Sequence, residues 1–166
     1  MSKDKKKEKK GPTYRKVIKD ALELMDHDYF RFEKVSRTCY RIIAFDQDAI
    51  SEAEVYAEDL GDRLGIRTNI FNARSCMDEL GMSREEVYRT AYSTWKEYGG
   101  GHAFVFDDDE EAMMHMFCDL TCGPEDISPV MLACLLTDMF EESSAITARL
   151  FGAVMFRPDE PEPEEE

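Results

Sequence analysis

No apolar run in this chain is long enough to cross a bilayer. The longest uncharged stretch near the C-terminus runs from Ile127 to Thr137, where Asp138 interrupts it. A spanning helix needs about 20 residues. Histidine is scarce. His27, His102 and His115 are scattered, and no serine sits in a nucleophile-elbow pattern, so no nucleophile–base pair stands out. Catalysis and a cofactor are therefore not expected. No apolar leader precedes the lysine run Met1 to Lys10, and the five cysteines, Cys39, Cys76, Cys118, Cys122 and Cys134, are odd in number. Both features predict reduced thiols in the cytoplasm, without association with a membrane.

Basic residues are nearly missing from the back of the chain. Residues 99–166 hold seventeen acids against Arg149 and Arg157, a net charge of −15. Residues 1–19 are the opposite, with nine Lys/Arg against two acids. Residues 20–48 sum to −3 and residues 49–98 to −4, so the whole chain stands at −15. Such a field repels nucleic acid and anionic membrane over most of the surface and attracts basic partners. The lysine head, able to grip an acidic polymer or fold back on the chain's own acids, is the exception.

The length of 166 residues suits one domain, and a hydrophobic content of 43% supplies a core without a disulfide or metal staple. Residues 1–11 read as a disordered basic tail, residues 12–156 as a single globular domain, and residues 157–166 as a disordered acidic tail rich in Pro and Glu. The expected fold is α+β and mostly helical. A small antiparallel sheet, made of a hairpin over residues 29–45 and one further strand at 103–106, packs against about five or six helices.

The first helix is expected from Pro12, with Tyr14, Ile18, Ala21, Leu22 and Met25 on one face. Ser36, Arg37 and Thr38 separate the two hairpin strands. Ser51 and Glu54 form a capping-box pattern that predicts a helix burying Ala53, Tyr56, Ala57, Leu60 and Leu64. Residues 66–80 are ambiguous: Ile66, Thr68 and Ile70 alternate like a strand, yet Ile70, Ala73, Met77 and Leu80 fit a helical face, and helix is favoured. Ser83 and Glu86 repeat the capping box ahead of a helix to Tyr98. A further helix is expected over 110–122. Ser128 and Pro129 open a long helical region, which a break at Ser143–Ser144 would turn into a helical hairpin. Its apolar stripes are wide. A central core position would explain that width; so would a homodimer through the C-terminal helices.

Four features invite chemistry. Asp78 to Arg89, with Gly81 at the turn, Ser83 as cap and Val87 pointing inward, resembles the turn and second helix of helix-turn-helix DNA-binding motifs. The resemblance implies a regulator binding through residues 73–97, with Arg84, Arg89, Ser93 and Lys96 toward DNA. The net −4 of residues 49–98 opposes this, because DNA binding rests on phosphate neutralisation by Lys/Arg. Next, Asp46 and Asp48 follow one apolar strand and Asp107 and Asp108 another. Carboxylates at the ends of adjacent strands hold Mg²⁺ for phosphoryl transfer. The Asp-x-Asp pattern resembles the nucleophile motif of haloacid dehalogenase-type phosphatases, without the Gly-Thr that usually follows. Ordinary helix capping explains the same acids.

Third, His115, Cys118 and Cys122 share one sector of the expected helix 110–122 and are competent Zn²⁺ ligands. They make only one ligand pair where structural sites use two, so no metal is expected. Last, Asp107, Asp108, Asp109, Glu110, Glu111, Glu141 and Glu142 concentrate negative charge. They predict a non-catalytic acidic interaction module (an adaptor, inhibitor or regulator). It would dock on a basic protein surface or on a nucleic-acid-binding protein, in competition with nucleic acid.

Overall fold

The structure is a computed structural model that describes residues 11–44, 54–72, 77–78, 81–97, 103–106 and 113–155. Helix α1 spans Tyr14–Leu22. Thr13 caps it, its hydroxyl accepting from the Lys16 N–H at 3.3 Å. Tyr14, Ile18, Ala21 and Leu22 are buried as the spacing predicts, Val17 joins them, and Met25 is buried just beyond the helix. An Asx-turn follows, in which the Asp28 N–H donates to Asp26 Oδ1 at 2.9 Å. The chain then enters β1 (Phe30–Lys34) and β2 (Cys39–Ala44), the expected hairpin. Ser36 Oγ closes its turn by accepting from the Thr38 and Cys39 N–H groups at 3.2 and 3.1 Å.

Sequence and structure part at residue 54. Glu54–Asp59 is strand β3 and Leu64–Asn72 is strand β4, not two helices. Val55 and Ala57 point inward, followed on the next strand by Leu64, Ile66 and Thr68. This is burial with a period of two. Asp59 and Gly61 make the turn between them. Asp59 Oδ1 accepts from the Gly61 N–H at 3.0 Å, and Gly61 sits at φ 90°, open to glycine and strained for other residues. Of the residues expected on the helix face, Tyr56 is on the outer side of the sheet and Leu60 is exposed. Ser51 and Ala53 lie outside the described residues.

Helix α2 covers Arg84–Glu97. The capping box before it is complete: Glu86 Oε2 accepts from the Ser83 N–H at 2.7 Å, and Ser83 Oγ accepts from the Glu86 N–H at 3.3 Å. Strand β5 (Ala103–Phe106) stands where expected, but Met113–Leu120 is strand β6 rather than a helix. Helix α3 then runs unbroken over Pro129–Met155, about 40 Å. Ser143 and Thr147 do not interrupt it. Their hydroxyls donate back to the carbonyls of Phe140 and Ser143 at 3.0 and 2.9 Å, so both are satisfied within the helix.

The six strands form one antiparallel sheet in the order β1-β2-β3-β4-β6-β5. A bulge between Asn69 and Phe71 adjusts the β4–β6 register. The expected small sheet under five or six helices is thus corrected: among the described residues there are three helices and a six-stranded sheet. α1 and α3 pack on one face of that sheet, and α2 packs on α3. The wide stripes of α3 are accounted for by its central place, against α1, α2, β3 and β4. Among the described residues no helix is long and apolar enough to cross a membrane. The expected tails lie outside the described residues, except for Gly11.

Candidate functional site

Most carboxylates on the sheet and on α2 already have cations. On the outer face of the sheet Arg41 pairs with Glu33 at 3.1 Å and with Glu54. Arg63 pairs with Asp62 at 3.2 Å and with Asp119 at 3.0 Å. Arg89 pairs with Glu85 one turn before it on α2, and Arg149 reaches from α3 to Glu97 at 2.7 Å. Glu58, Asp59, Glu125 and Asp126 have no Lys or Arg partner among the described residues, and a further group of such acids gathers around the end of α1 and on α3. Glu23, Asp26, Asp28, Asp138 and Glu141 have no Lys or Arg partner among the described residues.

Between the end of α1 and the first half of α3 lies an apolar groove of about 590 Å³. This is within the usual size of a ligand pocket, about 300–1,000 Å³. The last turn of α1 tightens, with the Leu24 and Met25 N–H groups donating to Ala21 and Leu22 carbonyls at 3.0 and 3.3 Å. That tightening leaves Leu24 57% exposed while Met25 is buried. On α3 the stripe Val130, Cys134, Thr137, Asp138 and Glu141 follows helical spacing. Val130 is 61% exposed at its head, Ala133 and Phe30 close the groove, and Phe30 packs on Phe140 with ring centroids 5.2 Å apart. Among the described residues, Asp26 and Asp138 are the charged groups of the lining.

Two other surfaces are built. On the outer sheet face, the Arg67 guanidinium lies 5.4 Å from the centre of the Tyr56 ring, whose hydroxyl donates to Glu54 Oε2 at 2.9 Å. Together with Leu60, Phe117, Glu58 and Asp119 they border a concavity of about 260 Å³. On α2, Tyr88 and Tyr92 stack at 5.9 Å and Tyr92 meets Trp95 at 5.4 Å. Tyr88 and Tyr92 are 46% and 41% exposed.

Several expected sites change. Asp107, Asp108, Asp109, Glu110 and Glu111 lie outside the described residues, as do Asp46 and Asp48. The strands leading to them are nevertheless placed. β2 and β5 are four inter-strand steps apart, about 19 Å. The two strand ends are therefore not adjacent, which corrects that premise. Glu141 is exposed, whereas Glu142 is buried at 7% exposure.

The metal stripe disappears with its helix. In strand β6, Cys118 packs toward the core, His115 and Asp119 share the other face, and Cys122 falls in the loop beyond. No group of three or more His, Cys, Asp or Glu with metal-holding geometry occurs among the described residues. Burial, then Asp119, raises the Cys118 thiol above its ordinary pKa; burial, then Glu58, does the same at Cys39.

Of the helix-turn-helix resemblance over residues 73–97, the second helix is described, Met77 and Asp78 before it are helical, and residues 73–76 and 79–80 lie outside the described residues. α2 exposes Arg84, Arg89, Ser93 and Lys96; residues 66–72, where the sequence pattern favours a helix, belong to β4 and precede that motif. Sequence reasoning missed the groove because it arises from two segments a hundred residues apart. It missed the α2 aromatic row too, although Tyr88, Tyr92 and Trp95 stand at helical spacing in plain view.

No protein-family model and no curated protein matches the chain. Its fold is similar to that in the crystal structure of an uncharacterized protein from Methanothermobacter thermautotrophicus. That likeness has a TM-score of 0.54 at 11% identity and covers 85% of this chain and 99% of that one; it concerns the fold alone.

Proposed function

We propose that this chain is a non-catalytic acidic interaction module, an adaptor, inhibitor or regulator that docks on a basic surface of another protein. The carrying observation is the uneven use of its carboxylates. Those on the sheet and α2 are largely neutralised by arginines of the same chain. Glu23, Asp26, Asp28, Asp138 and Glu141 are left to meet cations from elsewhere. The net charge of −15 supplies long-range attraction to a basic partner and repels nucleic acid. Where the partner binds nucleic acid, the module competes for the same basic groups.

The test is retention of partners on the immobilised full chain as salt is raised. Retained proteins should be basic and should elute as screening shortens the reach of the field. Partners of neutral charge, held equally at low and high salt, would refute the reading.

A second reading, DNA binding through α2, is favoured by the exposure of Arg84, Arg89 and Lys96 beside the stacked tyrosines. It is opposed by the Glu85 partner of Arg89 and by the overall charge. It predicts that an Arg84→Ala/Arg89→Ala double variant loses DNA affinity. Unchanged affinity in that variant excludes it.

A further inference from the structure

We infer that the groove between the end of α1 and the first half of α3 is the docking site for an amphipathic basic segment of a partner protein. This rests on the acidic-module reading and gives that module a specific anchor. Leu24 and Val130 are large aliphatic side chains more than half exposed, on either side of a floor that includes Met25, Phe30 and Ala133. Exposed apolar groups gathered in one place mark interaction surfaces more often than scattered ones do. The chemistry of the rim selects the occupant. Among the described residues Asp26 and Asp138 line the groove, no Lys, Arg or His does, and neither acid has an ion-pair partner.

A purely apolar occupant would remove water from two carboxylates and give nothing back, which is costly. An occupant that carries Lys or Arg beside its apolar anchors satisfies floor and rim together. Two nearer candidates fit less well. The chain's own residues 1–10 carry six lysines but only Met1 as an apolar side chain, so they bring charge without an anchor. A second copy joined by a two-fold axis would set this patch against itself. Asp26 and Asp138 would then confront the same acids.

The experiment measures fluorescence anisotropy of a labelled amphipathic peptide of leucine and lysine, titrated with the full chain. Polylysine of equal charge is the reference. The amphipathic peptide should bind more tightly than polylysine, and Leu24→Lys and Val130→Lys should each weaken it about tenfold or more. Val35→Lys, at an exposed apolar position on the β1–β2 hairpin, should leave it unchanged. Asp138→Asn should lower affinity and flatten the salt dependence. Leu24 and Val130 are exposed, so their variants retain the fold, verified by circular dichroism.

Equal binding of both peptides, indifferent to the groove variants, would overturn the groove and leave the acidic module standing. Binding of neither would overturn both. Binding unaffected by salt and by Asp138→Asn would overturn the charged half of the inference. A concentration-dependent dimer in sedimentation, abolished by Val130→Lys, would assign the groove to a second copy and overturn it as well.

Discussion

Cys39 and Cys118 sit in strands under neighbouring side chains, whereas Cys122 and Cys134 are exposed. Thiolate is the reacting species, and burial withholds it. At neutral pH, in a Cys76→Ser background, Cys122 and Cys134 should react with a disulfide reagent at least about tenfold faster than Cys39 and Cys118. Mass mapping of the modified peptides checks this. Equal labelling of Cys39 and Cys134 would mean that β2 opens readily. The number of cysteines was legible from the sequence. Their ranking was not, because Cys118 and Cys122 look alike until one is in a strand and the other in a loop.

At the scale of elements, the helices were read best where the ends are chemically marked. Pro12, Ser83 and Ser128–Pro129 mark the heads of α1, α2 and α3; Thr13 supplies the cap at α1 and the Ser83–Glu86 pair closes by local hydrogen bonding at α2, which needs no tertiary partner. Ser83→Ala should cost about 1 kcal/mol and lower the melting temperature by about 3 °C. Calorimetry of the full chain measures it; no change would place the helix start elsewhere. The same marks misled over 51–65, where Ser51, Glu54 and the alanines suit a helix but β3 forms. Val55 and Ala57 alternate with Glu54, Tyr56 and Glu58, and pairing with β2 and β4 outweighs the small preferences of individual residues. In β6, Met116, Cys118 and Leu120 face inward by the same alternation, but its polar residues also suit one side of a helix.

Over the whole molecule, Tyr14 ties distant parts together. Its hydroxyl donates to the carbonyls of Asp62 in the β3–β4 turn and Cys122 after β6, at 3.2 and 2.9 Å. Burial first, then Cys122, Asp62, Glu125 and Asp59, holds the phenol above its ordinary pKa. A raised pKa means the unfolded chain gives up this proton first. The contribution of Tyr14 is therefore complete below about pH 10 and is lost as pH rises through the folded-state value. Tyr14→Phe should melt at a lower temperature at neutral pH and lose less stability above about pH 10 than the parent. Melts recorded across that range decide it, and parallel curves would show that Tyr14 does not govern the alkaline limb.

Composition and spacing alone determined the sign and distribution of charge, the heads of three helices, the first hairpin and strand β5. Each of these is set by residues close together in the chain. Only the tertiary structure decided that residues 54–72 and 113–120 are strands, that α3 lies at the centre, and that Asp26 and Asp138 border one groove. Those outcomes depend on partners far away in sequence. Strand pairing and groove formation gain their free energy only when such partners meet, so no local window of residues contains it.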